Sequence, residues 1–267
     1  MRRCEFCDSP VPADALVCPV CNETIAEETL ERVLPILRRP ETPEVRAMGV
    51  LERLWGVIRK PAAAYRDIGR RPDGGGPLLI IVMNALIMAG LFLAISSKFY
   101  VRVNINGTLT DVGVLSSEYS GLFYGTALVS MLPNILLGMV YLLFGTLFAH
   151  LAFKVTGGTG SKGKTMSIIG YSMVPVILFR LIALLIVLLT LPQYNITSST
   201  SWIGTVMLIY ESGMWLTIDY LTTASFFWVG LLLVFGIREA HDTSTGWAFL
   251  VSAACMAVLI WTFWQAH

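Results

Sequence analysis

Four of the chain's five cysteines lie within its first 21 residues, as the pairs Cys4-x-x-Cys7 and Cys18-x-x-Cys21. Two such pairs, separated here by ten residues, are typical of a tetrahedral zinc site in which every ligand is a thiolate. Each pair forms a tight turn that directs two sulfur atoms toward one metal. Because the protein would fill all four coordination positions, we expect one structural Zn²⁺ and no catalytic metal.

The segment around these cysteines is small, and we predict a zinc ribbon with β-hairpin knuckles over residues 1–25. Its apolar anchors are Val11 and Leu16, so metal binding must supply the folding free energy, typically ~10–16 kcal/mol for structural zinc. The alternative is a redox-active C-x-x-C pair. Neither pair precedes a helix in a thioredoxin-like βαβ context, which favours zinc.

A second chemical pattern, GTGSKGKT at Gly158–Thr165, matches the phosphate-binding P-loop G-x-x-x-x-G-K-[ST]. A P-loop follows a β-strand of a parallel sheet, whereas here a long apolar segment typical of a helix precedes the pattern, so we expect no nucleotide. Two interpretations stay open for Lys162 and Lys164. They contact a lipid phosphate at a helix N-terminus, or they belong to a loop with an ordinary excess of basic residues.

The remaining residues offer no catalytic arrangement. The three histidines, His150, His241 and His267, lie apart at a span end, in a loop and at the C-terminus, and we predict that the protein is not an enzyme. The formal net charge is +1, so no nucleic-acid partner is expected. The chain is 55% hydrophobic and only 14% charged, whereas soluble domains carry about a quarter charged residues. It is therefore expected to be an integral membrane protein.

Apolar runs of sufficient length predict an all-α polytopic protein with a five-helix transmembrane bundle over residues 74–267. The expected spans are residues 78–97, 124–150, 167–191, 218–237 and 247–264. A further apolar run, Trp202–Tyr210, is too short to cross. Residues 26–44 contain Pro35, Pro40 and Pro43 and are predicted to be a flexible linker.

Residues 45–73 show a different pattern, in which apolar residues recur at helical spacing among basic ones. The apolar stripe consists of Val45, Met48, Leu51, Leu54, Trp55 and Ile58. We predict two short amphipathic helices in the cytoplasmic interface of the bilayer, with an excess of basic residues that favours anionic lipid. Packing of these helices on the inner mouth of the bundle is an alternative, and the two are compatible.

The distribution of lysine and arginine predicts the orientation, because cytoplasmic flanks carry the excess. The loops after the second and fourth spans contain Lys154, Lys162, Lys164 and Arg238, and many arginines precede the first span, whereas the opposite loops have only Lys98 and Arg102. We therefore expect a cytoplasmic N-terminus and an outside C-terminus. Reduced, metal-binding cysteines agree with a cytoplasmic location.

One charged residue lies deep within a predicted span. Arg180 is near the middle of the third span, where a charge is costly and must be paired. Asn84, Asn134 and Tyr171 are the candidate partners in this intramembrane polar site. The site is either part of a cavity for a transported molecule or a lipid headgroup, or a structural tie between helices.

Residues 157–175 contain Gly170-Tyr171-Ser172 followed three residues later by Pro175. This stretch, with the earlier segment Trp55–Ile68 and the later Trp228 and Gly230, resembles the membrane domain of the Yip (Ypt-interacting protein) family over about residues 50–265. The resemblance implies five spans and a cytoplasmic N-terminus. The N-terminal module resembles the short zinc ribbons of prokaryotic membrane proteins, with Asp8 and Asn22 where those have Gly, and a prokaryotic cell membrane is expected.

The function expected from these features is that of a non-enzymatic membrane scaffold or adaptor, possessing a zinc ribbon that binds a cytoplasmic protein and serving in membrane organisation or a trafficking-like process. Besides that protein, the lipid bilayer is the expected partner. The alternative is a small-molecule or lipid transporter that uses a cavity near Arg180.

Overall fold

The computed structural model describes residues 2–4, 7–11, 15, 17–23, 47–105, 107–155, 160–196, 202–241 and 243–265. The predicted linker, residues 26–44, lies outside these ranges. The chain divides into two compact units, which are described separately. The first unit comprises Met1–Ile80, Val140–Pro175 and Phe226–His267, and the second comprises Ile81–Met139 and Val176–Ser225.

Helices account for most of the described chain. In order they are α1 (Val50–Arg59), α2 (Pro61–Arg70), α3 (Gly75–Ser96), α4 (Ser120–Val155), α5 (Lys162–Ser172), α6 (Val174–Thr190), α7 (Trp202–Tyr210), α8 (Gly213–His241) and α9 (Thr245–Gln265). Five stretches among the described residues are long and apolar enough to cross a membrane, namely α3, α4, α5 with α6, α8 and α9. The prediction of five membrane-spanning helices is therefore confirmed, and α7 is a short helix of 9 residues.

The third membrane-spanning stretch is interrupted at Met173, between α5 and α6. Pro175 has no N–H and so cannot donate to the carbonyl of Tyr171, one turn earlier. At the end of α5, the Met173 N–H donates to the carbonyl of Gly170, three residues earlier, at 3.1 Å. This bond tightens the last turn of α5. Pro133 has a milder effect, because α4 continues through it.

A small sheet lies in the connecting segments, in addition to the predicted helices. Strands β3 (Phe99–Ile105), β4 (Thr108–Gly113) and β5 (Tyr194–Ile196) lie in the segments that connect membrane-spanning helices of the second unit. β3 pairs antiparallel with β4 and parallel with β5. The turn between β3 and β4 contains Gly107, whose φ of 84° lies in the left-handed region that favours glycine. The predicted helical bundle is therefore accompanied by a three-stranded sheet.

The core of the second unit joins this sheet to helical side chains. Phe99 on β3 is fully buried and stacks on Tyr194 of β5, with ring centroids 5.6 Å apart. Alternate residues of β3 face the other way, and Arg102 forms a salt bridge of 3.0 Å with Asp111 on β4. The buried cluster around Phe99 comprises Leu91, Ala94, Val114, Ala183, Val187, Leu191, Ile209, Trp215 and Ile218.

The core of the first unit joins the two short helices to the ends of longer ones. Helix α2 packs against α5, and α1 contacts both α2 and α5. Tyr65 and Ile68 on α2 are fully buried, as is Ile168 on α5. Helix α2 is thus packed against another helix of the same unit, whereas Leu51 and Trp55 on α1 are exposed.

Candidate metal centre and ionic cluster

The four N-terminal cysteines converge on one point. The Sγ atoms of Cys4 and Cys21 are 3.6 Å apart, as are those of Cys7 and Cys18. All four sulfur atoms lie within 4.8 Å of one another. A tetrahedral metal with Zn–S bonds of about 2.3 Å requires sulfur–sulfur separations of about 3.8 Å. The donor set therefore has the spacing needed to hold a single tetrahedral metal ion.

The two C-x-x-C turns have the same backbone geometry. In the first, the Asp8 N–H donates to the Cys4 carbonyl at 2.9 Å, and in the second the Asn22 N–H donates to the Cys18 carbonyl at 2.9 Å. Asp8 and Asn22 have φ values of 55° and 56°. They occupy left-handed positions that Asp and Asn tolerate better than most residues, so the replacement of glycine there preserves the turn.

Little besides the cysteines supports this module. Strands β1 (Arg2–Arg3) and β2 (Pro10–Val11) pair antiparallel on either side of the first turn. Val11 is fully buried with Cys4 and Cys18, whereas the predicted second anchor, Leu16, lies outside the described residues. So small a core makes a bound metal the main source of folding free energy.

The thiols differ in their affinity for protons. A hydrogen bond with the Ser9 side chain lowers the pKa of Cys7 to about 6. A backbone hydrogen bond at Glu23 acts to lower the pKa of Cys21, but burial and the neighbouring cysteines outweigh it and raise that pKa to about 12. Four thiolates this close together repel one another, and a bound cation removes that repulsion.

A second group of polar residues forms what we call the ionic cluster, which consists of Arg53, Asp67, Arg71 and Asp73. Arg53 Nε donates to Asp67 Oδ2 at 2.8 Å, and its Nη1 donates to Asp73. Arg71 pairs with the other oxygen of Asp67. The Asp67 side chain is fully buried and that of Arg53 nearly so. Burial acts to lower the pKa of Arg53, but its bonds to Asp67 and Tyr171 outweigh this and raise it.

Asp73 connects the ionic cluster to the start of the first membrane-spanning helix. Its Oδ1 accepts from the Gly76 N–H at 2.7 Å and so caps the N-terminus of α3. The hydroxyl of Tyr171 on α5 donates to Asp73 Oδ2 at 3.1 Å. The Ser167 hydroxyl accepts from the Asp73 N–H at 3.0 Å and donates to the Asp73 carbonyl at 2.6 Å. One aspartate thus joins α1, α3 and α5.

The Gly170-Tyr171-Ser172 motif is explained by these contacts. A Cβ on Gly170 would lie 2.4 Å from Pro77 Cβ, so only glycine permits this approach of α5 to α3. Tyr171 bonds Asp73, as described above. Ser172 donates to the Ile168 carbonyl at 2.8 Å and accepts from the buried Tyr65 hydroxyl at 2.6 Å, which ties α2 to α5. Each residue of the motif therefore makes a separate contact between elements.

The predicted intramembrane polar site is brought together only in part. Arg180 on α6 donates to Asn84 Oδ1 on α3. Asn134 instead donates to the carbonyl of Ser130 in its own helix at 2.8 Å, and Tyr171 belongs to the contacts of Asp73. The grouping of all four residues at one site is therefore not observed, because two of them bond elsewhere.

The P-loop-like pattern lies at the start of α5, and the described chain before it is helix α4. Ser161 caps α5 by accepting from the Lys164 N–H at 3.4 Å. Lys162 is exposed and Lys164 is half-buried. Thr165 is buried, and its Oγ1 lies 3.0 Å from His241 Nε2. Burial, together with the charges of His150 and Lys164, lowers the pKa of His241 to about 4.

The ionic cluster has little local signal in the sequence. Asp67 and Arg53 are 14 residues apart and pair because α1 and α2 fold back on each other at Lys60-Pro61. A local signal existed only for Asp73, which precedes three glycines and an apolar run in the manner of a helix N-cap.

These features define a class of protein, a multi-pass membrane protein with an N-terminal four-cysteine module capable of holding a metal. The family model described as the Yip1 domain matches residues 55–265. The chain therefore belongs to the Yip1 domain family, as the resemblance predicted. It matches none of the curated proteins and none of the solved structures with which it was compared.

Proposed function

We propose that this protein is a non-enzymatic membrane scaffold or adaptor whose N-terminal module is a zinc ribbon that binds a cytoplasmic protein. The observation that carries the proposal is the pairing of a closed four-cysteine site with exposed apolar side chains. Val17 and Val20 flank Cys18 and are 50% and 67% exposed. A metal site with no position for a substrate supports binding to a protein rather than catalysis.

The metal proposed is Zn²⁺. Cys4, Cys7, Cys18 and Cys21 would hold it, and four thiolates at tetrahedral spacing are ligands that zinc prefers. Its chemistry here is structural, because it gives a folded surface to a segment with almost no core. Cadmium or iron could occupy the same ligands, and metal analysis of the purified full chain distinguishes them.

The proposed orientation places this module in the cytoplasm and the C-terminus outside. Lys154, Lys162, Lys164 and Arg238 belong to the same compact unit as α1 and α2, whereas Lys98 and Arg102 belong to the other. An excess of basic residues in the loops of the first unit supports a cytoplasmic position for those loops. On that side, our candidates for contact with a lipid phosphate are Lys162 and Lys164, in the first turn of α5.

The contacts of Arg180 support a scaffold over a transporter. Asn84 accepts a hydrogen bond from Arg180 Nη1, so the arginine already has a hydrogen-bond partner on a neighbouring helix of the same unit. A substrate-binding arginine would need an acceptor from the substrate. We therefore assign the pair to structure, as a polar tie between α3 and α6.

The recruitment role is tested by deleting residues 1–43 and comparing the proteins that co-purify from chemically crosslinked membranes. We expect the truncated protein to insert at normal levels, because its membrane-spanning helices are intact, and to lose specific partners. The Arg180→Leu variant of the full chain is a control that should keep them. An unchanged set of partners after the deletion would remove the recruitment role.

A further inference from the structure

Helix α1 exposes two of its large apolar residues and buries one of its arginines together with Val57. Leu51 and Trp55 are 73% and 55% exposed, while Arg53, on the opposite side of the helix, is only 5% exposed. A helix on a water-facing surface normally buries its apolar side chains and exposes its charges. Exposure of Leu51 and Trp55 is favourable if they meet an apolar medium, and burial of Arg53 is tolerated because its charge is paired with Asp67.

The ionic cluster also determines which charged residues of this region are paired and which are exposed. Asp67 and Asp73 are turned toward Arg53 and are neutralised there. Arg59 and Lys60, at the end of α1, are exposed. Glu52 is an exposed acid, but its Oε2 accepts from the Gly49 N–H at 3.1 Å and so is held at the start of the helix. The exposed cationic charge therefore lies at the C-terminal end of α1, and its exposed acidic residue lies at the N-terminal end.

The exposed residues form a continuous stripe. Leu51, Trp55 and Arg59 are spaced four residues apart and so lie on one face of the helix. The Arg59 guanidinium lies over the Trp55 ring, 4.4 Å from its centroid. An aromatic ring with a cation over its face is suited to the level of phospholipid headgroups, where apolar and charged media meet. We call Leu51, Trp55, Arg59 and Lys60 the α1 face.

The α1 face is tethered close to the membrane. Helix α2 ends at Arg70 and the first membrane-spanning helix begins at Gly75. The five Cα–Cα steps between those residues reach at most about 18 Å. Asp73 shortens the connection further by capping α3 while bonding Arg53. The bilayer is thus the surface that the chain itself brings nearest to this face.

We propose that the α1 face binds anionic phospholipid, with Leu51 and Trp55 inserted between headgroups and Arg59 and Lys60 contacting their phosphates. This binding is independent of the zinc ribbon and goes beyond partner recruitment. Each basic residue near an anionic surface strengthens attraction by about fivefold. Loss of both cations should therefore weaken the preference for anionic over zwitterionic lipid by about 25-fold.

Insertion of Trp55 is tested on the full chain in nanodiscs that contain lipids brominated on the acyl-chain carbons near the headgroup. The chain has 7 tryptophans, so the emission of Trp55 is taken as the difference between wild type and Trp55→Phe. We expect bromine to quench this difference emission. If bromine leaves the difference emission unquenched, the proposal is overturned, and binding of a protein to the α1 face is favoured instead.

The headgroup preference is tested in nanodiscs that mix phosphatidylcholine with phosphatidylglycerol. The quantity measured is the enrichment of fluorescent phosphatidylglycerol beside Trp55, by energy transfer. We expect the Arg59→Gln/Lys60→Gln double variant to lose the enrichment and Arg102→Gln, which removes an exposed cation elsewhere, to keep it. Equal enrichment in the wild type and the double variant would overturn the proposed role of the cations. So would a loss of enrichment in Arg102→Gln as large as that in the double variant.

Discussion

Replacing Gly170 by alanine should separate α5 from the start of α3, which the Gly170-Tyr171-Ser172 motif holds together. The added methyl group would lie 2.4 Å and 2.5 Å from Pro77 Cβ and Cγ, and 3.0 Å from its Cα. Carbon atoms pack favourably at about 3.5–4.0 Å, so α5 and the start of α3 must move apart by about 1 Å. The proline ring cannot rotate away, and Asp73 holds the same end of α3. Overpacking of this kind costs about 1–3 kcal/mol.

The measurement is the thermal unfolding midpoint of the full chain in one detergent, read from tryptophan fluorescence. In a protein of this size each kcal/mol shifts the midpoint by about 2–4 °C, so Gly170→Ala should lower it by about 2–12 °C. Gly163→Ala, on the same helix, is the matched control, because its Cβ would meet nothing within 4 Å. Equal midpoints for the two variants would refute the close-contact explanation of the motif.

Three further predictions concern other contacts. Tyr65→Phe removes the buried bond to Ser172 and should cost about 0.5–1.5 kcal/mol, read as a lower unfolding midpoint; an unaltered midpoint would contradict that bond. The depressed pKa of His241 means that its contribution to stability is complete above about pH 6.5 and is lost toward pH 4, since the unfolded chain binds the proton more readily. His241→Gln should flatten the fall of the midpoint over that range, and an identical pH profile would contradict this. Cys18→Ser should reduce bound zinc from one per chain to a small fraction, measured by mass spectrometry of the metal, whereas Cys255→Ser should leave one zinc bound.

The features that could be predicted from sequence are those with a strong local signal. Long apolar runs predicted five membrane-spanning helices, and the spacing of Cys4, Cys7, Cys18 and Cys21 predicted the one group of metal-ligand side chains found among the described residues. Both signals lie in contiguous sequence and need no knowledge of packing. The sheet had a local signal as well, because Asn106-Gly107 lies between alternating apolar and polar residues, a pattern that predicts a hairpin. The pattern is short and lies between two much stronger apolar signals, in a segment predicted only as a loop.

The ionic cluster could not be predicted in the same way. Its partners come from α1, α2 and the turn before α3, and the bond from Tyr171 comes from a helix about 100 residues later in the chain. Helical periodicity placed Arg53 on the polar side of α1, which in a soluble protein would be the exposed side. Arg53 is instead buried, where two carboxylates stabilise it, and the proposed contact of α1 with lipid would explain why Leu51 and Trp55 are exposed.

The central claim is that the N-terminal module presents a protein-binding surface around its metal site. The most direct test is quantitative co-purification from crosslinked membranes with the Val17→Ser/Val20→Ser variant of the full chain, after bound zinc has been measured. Both side chains are exposed, so the variant should keep one zinc per chain and insert normally. We predict that it loses the partners lost on deletion of residues 1–43. Retention of those partners, with zinc and expression unchanged, would contradict the claim.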